Sequence, residues 1–349
     1  MDPITFEVIK IFLIATVTFI GAGLLTPLVT HYLYKYKMGK SIRTSSSAPI
    51  FFEHHKQKSG TPTMGGIIIW ATVILVALII ALLAQFNLDF FIKFNFLTRA
   101  ETLLPLGAFL AAAIVGLIDD YLNVRGIGPH GGGLRVKHKL LIYVLIALIG
   151  ALWFYFKLDW DLLYIPFFGE FQIGFWYIPF FVLVIVAAAF SMNEADGLDG
   201  LAGGMVAINF LTLGAIAFLQ GRFDLATLCA AIVGALMAFL WFNIPPARFF
   251  MGDTGSMSLG ITLGVVAMLT NTAFFLPIIG IVFVIESLSV IIQVLSKKFR
   301  HKKVFLSAPW HHHLEAKGWP EPKIVMRLWV ITTLFSLMGF IIYMIDKYV

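Results

Sequence analysis

The chain has 349 residues, of which 60% are hydrophobic and 13% charged, against about 45–50% and about 25% in soluble domains. That balance excludes an ordinary water-soluble globule and describes a polytopic membrane protein. The formal charge of +6 sits in loops and is not a nucleic-acid signal, and the single cysteine, Cys229, rules out an internal disulfide.

A membrane-crossing helix needs roughly 20 mostly apolar residues. Ten segments qualify, near 8–30, 67–86, 102–118, 140–156, 176–192, 203–220, 225–241, 257–274, 276–295 and 326–345. The expected fold is all-α, one membrane-embedded domain over 1–349, without an internal repeat or a separate soluble domain. The first span is too long, and Lys10 alone too poor a basic start, for a cleavable signal.

Between the first two spans lies a polar stretch, 40–60, in which no role falls to His54 or His55. It ends in Lys58-Ser-Gly60-Thr61-Pro62-Thr63-Met-Gly65-Gly66, at the opening of the second span. Lysine, threonine and glycine beside a helix start favour an anion, although the P-loop order is absent. The third span ends in Asp119-Asp120. Negative charge at a helix C-terminus opposes the macrodipole by about 0.3–1 kcal/mol per exposed group. The pair therefore asks for a cation, metal or lysine, unless it is simply a solvated helix end. Lys137 and Lys139, in the same loop, are candidate counter-charges or phosphate ligands.

The loop 157–178 carries Trp160, Tyr164, Phe167, Phe168, Trp176 and Tyr177, and reads as a short hairpin in the aromatic belt of the membrane interface. After the fifth span comes Asn193-Glu-Ala-Asp196-Gly-Leu-Asp199-Gly, with no basic residue nearby. A helical turn would put Asp196 and Asp199 on one face, suited to a divalent ion or a polar ligand. The sixth span, 203–220, is the weakest, diluted by Gly203, Gly204 and Gly214.

Pro245 and Pro246 stop the seventh span, and Gly252-Asp253-Thr254-Gly-Ser256 opens the eighth. Asp253, Thr254 and Ser256 are natural N-cap residues. A carboxylate there could hold Mg²⁺, which takes hard oxygen ligands and shares phosphate oxygens. The last long loop carries His311-His312-His313. Adjacent residues cannot all aim at one ion, and no zinc spacing completes the set, so contact with phosphate or sugar is the better reading.

With the N-terminus outside, the loops 31–66, 119–139, 193–202, 242–256 and 296–325 fall inside, with 6, 4, 0, 1 and 7 lysines and arginines, against 6 on the other side. Basic loops stay cytoplasmic, so both termini are expected outside, and every acidic or histidine cluster lies in the inside loops. Carboxylates, lysines and helix-start anion sites gathered on one face are equipment for a metal–diphosphate reaction. The membrane location implies a lipid substrate, and transfer of a phosphorylated sugar from a nucleotide to a lipid phosphate fits.

GTPTMGG (60–66), GLIDDY (116–121), DGLDGLA (196–202), FFMGDTGS (249–256) and APWHHHLEAKGWPEPKIVMRLW (308–329) resemble the phospho-N-acetylmuramoyl-pentapeptide transferases, within the polyprenyl-phosphate sugar-1-phosphate transferase superfamily. The resemblance implies a bacterial inner-membrane enzyme with a cytoplasmic-face active site. UDP-N-acetylmuramoyl-pentapeptide and undecaprenyl phosphate would give lipid I and UMP, with Mg²⁺ as cofactor and a homodimer as the assembly.

By the same resemblance Asp253 binds Mg²⁺, and Asp119 binds or deprotonates the lipid phosphate beside Asp120. Asn193, Asp196 and Asp199 line the nucleotide–sugar site. Phe250 and Gly252 hold the uracil near Asn243 and Lys58, with Thr63 and Ser256 adjoining. His311, His312 and His313 contact phosphate or the sugar–peptide, and Lys137 faces phosphate. The chain departs from the family in Glu194-Ala195, where Leu-Thr is usual, and in the glycine-rich loop 123–136, which leaves Lys137 and Lys139 exchangeable.

Two rivals remain. A sister enzyme would transfer N-acetylglucosamine-1-phosphate, which the triple histidine and GWPEP argue against. A transporter would carry its charges mid-span and within repeats, whereas here they sit at span ends.

Overall fold

The computed structural model describes residues 2–39, 58, 60–98, 101–129 and 132–348; the polar stretch 40–57, with His54 and His55, lies outside them. The chain is helical almost throughout: α1 (Pro3–Lys35), α2 (Ile67–Ala84), α3 (Asp89–Phe94), α4 (Leu103–Val124), α5 (Val136–Lys157), α6 (Tyr177–Ala195), α7 (Leu201–Leu219), α8 (Phe223–Asn243), α9 (Gly252–Leu269), α10 (Leu276–Ile279), α11 (Ile281–Arg300), α12 (Trp310–Ala316) and α13 (Glu321–Tyr348). Among the described residues nine helices are long and apolar enough to cross a membrane. With no water in hydrocarbon to satisfy backbone groups, helices that close their own hydrogen bonds are the form such runs take. The protein is an all-α, multi-pass membrane protein.

The segment 276–295, expected as one span, is two helices that meet at Gly280. In α11 the interior takes Glu286, Ser287, Ser289, Gln293 and Ser296, while Ile285, Leu288, Ile291, Ile292 and Leu295 face outward. α11 stands outside the nine because its 20 residues include Glu286, Lys297, Lys298 and Arg300. Its polar stripe has work inside: Gln293 Oε1 accepts the N–H groups of Val304 and Phe305, both at 3.0 Å, and Ser191 donates to Ser287 at 2.9 Å.

α9 is the centre of the bundle, buried along nearly its whole length and packed against α4, α6 and α7. Its sequence is rich in Gly, Ser and Thr, the small residues that let membrane helices approach closely. Ser258 and Thr262 return their hydroxyls to the carbonyls of Thr254 and Ser258, at 2.7 and 2.8 Å, so they enter the interior satisfied. One approach decides the site. Any side chain at Gly116 on α4 would run into the backbone of Asp253 and Thr254 on α9. Only glycine there lets the two helices close, and that closeness brings Asp119 and Asp120 to Asp253.

The hairpin expected between spans four and five is present: β1 (Leu162–Ile165) and β2 (Gly169–Gln172) pair antiparallel, Leu162 opposite Gln172. Cys229 is buried within α8.

Candidate active site

The site lies at one end of the bundle, where α4 ends, α5 begins, α6 ends and α9 begins. Asp119 and Asp120 fall inside the last turns of α4, not beyond its end. α9 starts at Gly252, with Met251 in the N-cap position and no side-chain cap, so Asp253 is a first-turn residue and not the N-cap the sequence pointed to. The macrodipole favours a carboxylate at Asp253 and disfavours the pair on α4.

Lys139 resolves that conflict. Its Nζ lies 2.7 Å from Asp119 Oδ2 and 2.5 Å from Asp253 Oδ2. Asp119 also accepts the backbone N–H of Leu134, which ties the glycine-rich loop to the cluster. Lys137 is exposed. Of the two exchangeable lysines, the counter-charge among the carboxylates is therefore Lys139.

Asp253 Oδ1 accepts from Asn193 Nδ2 at 2.6 Å, and the same amide reaches Ser256 Oγ at 3.1 Å. Asp120 accepts the N–H of Thr254 at 3.0 Å and the hydroxyl of Thr63 at 3.4 Å. Gly252, at φ 74°, faces Asp120 and Thr63 so closely that no Cβ fits. Asp119, Asp120, Asp253, Asn193, Ser256, Thr63 and Gly252 thus form one cluster drawn from three helices and a loop, with Lys139 supplied by a fourth helix.

A second group adjoins it. The loop 62–66 runs beside 250–251: Phe250 N donates to Pro62 O, and Gly65 and Gly66 donate to the carbonyls of Phe250 and Met251, each at 2.8 Å. Lys58 Nζ lies 6.0 Å from the centroid of the Phe250 ring and pairs with Asp199 and Glu321 at 2.7 and 2.6 Å. Asn243 Oδ1 accepts from Gly200 N at 2.9 Å, and its Nδ2 donates to Phe249 O at 2.8 Å. Residues 196–200 form a turn between α6 and α7 and not a helical segment, so the shared-face argument for Asp196 and Asp199 does not hold. Asp199 is instead pinned by Lys58 and by the N–H of Ala247 at 3.1 Å.

The three histidines lie on α12: the rings of His311 and His312 meet edge to face, 4.1 Å between centroids, while His313 turns towards Phe305 and Trp310. His311 is fully buried, and its Nδ1 is 3.0 Å from Glu286 Oε2. Its Nε2 sits against the Cα of Gly197, where any side chain would collide with it. Burial disfavours the imidazolium of His311, but Glu286, with smaller contributions from Glu315 and Glu194, outweighs that and raises its pKa above the ordinary 6.5. His312 Nδ1 is 2.6 Å from Glu315 Oε2. His313 packs against Phe305 and Trp310, and burial, with Lys317 second, lowers its pKa.

Sequence reasoning passed over Glu286 and Glu321. A lone glutamate inside an otherwise apolar stretch is a functional candidate by default, which was the available signal for Glu286. Glu321 stood within the GWPEP run without a role.

Residues 102–271 match the family described as Glycosyl transferase family 4, and residues 58–69 match the first signature of the phospho-N-acetylmuramoyl-pentapeptide-transferases. Proteins of that name are similar over most of their length. The one from Chloroflexus aggregans is 37% identical over 95% of this chain and 89% of its own. That of Pelobacter propionicus is 41% identical over 82% and 81%, and that of Bacillus anthracis 39% over 93% and 95%.

Proposed function

The chain belongs to the phospho-N-acetylmuramoyl-pentapeptide transferase family, and from that premise we propose that it transfers phospho-N-acetylmuramoyl-pentapeptide from UDP to undecaprenyl phosphate, giving lipid I and UMP in peptidoglycan synthesis. The observation that carries the reading is the convergence of Asp119, Asp120, Asn193, Lys139 and Asp253 at a single end of the bundle. By the sequence count, the loops on that side hold the acidic and histidine clusters and 18 of the 25 lysines and arginines; basic loops stay cytoplasmic, which supports reading this end as the cytoplasmic one, with both termini outside. The enzyme works in the inner membrane, as a homodimer by resemblance to its relatives.

An oxygen of the lipid phosphate attacks the donor's β-phosphorus, the one next to the sugar. The bond from that phosphorus to the bridging oxygen breaks, and the bridging oxygen leaves with UMP and the electron pair. Asp119 holds or deprotonates the attacking phosphate. Lys139 stands between Asp119 and Asp253 and offers its ammonium to the charge that develops on the transferred group. Asn193, whose amide also reaches Ser256, fixes the rotamer of Asp253, while Thr254 N and Thr63 hold Asp120.

The residues fit Mg²⁺. Asp119 Oδ2 is buried, 2.7 Å from the Lys139 ammonium and with no further hydrogen-bond donor on it, and hard carboxylate oxygens are what that ion takes. Asp253 would hold it. Bound there, it would neutralise diphosphate charge.

Asn193, Asp196, Asp199, Asn243, Phe250 and Gly252 line the nucleotide–sugar side, with His311 and His312 beyond the 196–199 turn. UMP release from UDP-N-acetylmuramoyl-pentapeptide, measured with and without undecaprenyl phosphate and Mg²⁺, tests the reading. Release that requires both supports it. Release indifferent to the lipid, or a trapped phospho-enzyme with ping-pong kinetics, overturns the direct transfer.

A further inference from the structure

Glu321 opens α13 and carries two donors on one oxygen. Its Oε1 accepts from Lys58 Nζ at 2.6 Å and from the backbone N–H of Asp199 at 2.7 Å. Two turns along the same helix, Trp329 Nε1 donates to the carbonyl of Gly200 at 3.2 Å, and its indole fills the space beside Gly204. The final helix therefore grips the 199–200 turn at its N–H and its C=O. The turn is in turn fastened to the uracil-side segment, since Asn243 bridges Gly200 N and Phe249 O and Asp199 Oδ2 takes the N–H of Ala247.

We propose that Glu321 is a positioning residue for the nucleotide end of the donor. It sets the 196–200 turn and fixes the direction in which Lys58 approaches Phe250, and it does not itself touch substrate. The proposal rests on reading the chain as a transferase that uses a UDP-linked sugar. Charge-assisted bonds to a shared carboxylate are about twice as strong as neutral ones and shorter, which suits an anchor that must hold two elements of distant sequence in register. Two carboxylates around one ammonium also leave Lys58 charge-compensated, so its value to the site lies in where it is held. Glutamine can keep the acceptor for Asp199 N–H but loses the charge towards Lys58. Alanine loses both.

The test is steady-state kinetics of the full chain in detergent, varying each substrate in turn, for the wild type, Glu321→Gln, Glu321→Ala, Lys58→Ala and the double alanine variant. Glu321→Ala is expected to raise KM for UDP-N-acetylmuramoyl-pentapeptide about tenfold, with kcat and the KM for undecaprenyl phosphate within about threefold of wild type. Glu321→Gln should fall between. The double variant should be no worse than the poorer single one, because both changes break one unit. A KM unmoved by Glu321→Gln and Glu321→Ala, an equal rise for both substrates, or additive losses in the double variant would overturn the proposal. Should Glu321→Ala not fold, Glu321→Gln and calorimetric binding of UDP decide, a loss of UDP affinity being the expected result and wild-type affinity the contrary one. A wild type that releases no UMP refutes the transferase reading itself; a wild type that turns over, with variants indistinguishable from it, refutes only the role of Glu321.

Discussion

The two ends of the bundle use one ionic device for different purposes. At the far end Lys10 is buried and reaches Asp224 at 2.7 Å and Glu7 at 3.7 Å, joining α1 to the start of α8. At the site end Lys139 reaches Asp119 and Asp253 and joins α4, α5 and α9. Lys10 meets a neighbour on its own helix and one carboxylate in a helix first turn, where the macrodipole welcomes it. Lys139 meets carboxylates from two other helices, one of them placed against the dipole, with Asp120 adjoining. Each ammonium thus meets two carboxylates, but at Lys10 they are shared between α1 and the start of α8 and fasten those helices. At Lys139 a third carboxylate, Asp120, adjoins the two on the N–H of Thr254, and that surplus of negative charge is what suits this end to the proposed chemistry.

The sharpest way to break the contrast is Asp253→Asn. The amide keeps size and most contacts with Asn193, so the fold should survive, while turnover should fall on the order of 100-fold or more, the range seen when a group stabilising transition-state charge is removed. The variant's Tm should stay close to wild type. Near-normal UMP release would show that the acid cluster is a fastener after all.

Lys10→Met is the reciprocal change. It leaves Asp224 and Glu7 without their ammonium and is expected to cost on the order of 1–2 kcal/mol, less than a fully buried pair because Asp224 reaches solvent. Tm should fall while kcat remains within about twofold. A loss of kcat at unchanged Tm would place the far end in the catalytic cycle.

How much of this was readable in sequence differs between the two ends. The spans follow from apolar run length, and each of the ten segments is helical. Their fine structure does not follow, because hydropathy is blind to direction: the polar stripe of α11 points inward, and Gly280 splits what reads as one run. At the site, Asp119, Asp120, Asn193 and Asp253 were legible as charged or polar residues at span ends. Their meeting was not, since it depends on the room left at Gly116 and Gly252. Glu321 and Glu286 act through partners 122 and 25 positions away along the chain, and a local pattern carries no trace of such pairing.

His311 offers a smaller effect through pH. Its raised pKa means that the folded state holds the imidazolium more firmly than the unfolded chain does. The Glu286–His311 pair thus contributes stability in full below about 6.5, and this is lost as pH rises through the higher folded value. Tm measured from pH 6 upward should decline over that window, and Glu286→Gln should flatten the decline. A slope unchanged in Glu286→Gln would assign the pH dependence to another group.

The smallest expected effect separates the two lysines of the glycine-rich loop. Residues two apart on a helix point roughly 200° from each other, so on α5 only one of Lys137 and Lys139 can face α4 and α9. Lys139 takes that direction, and Tyr143, one turn further along, is buried on the same side. Lys137, exposed at the start of the helix, gives a positive charge that solvent and salt screen within about 10 Å. Lys137→Ala should therefore leave kcat/KM within about twofold at physiological ionic strength, whereas Lys139→Ala leaves Asp119 and Asp253 facing each other uncompensated and should abolish turnover. Equal losses in both variants would mean that the first turn of α5 rotates during the reaction and that the geometry around Lys139 is one of two working arrangements.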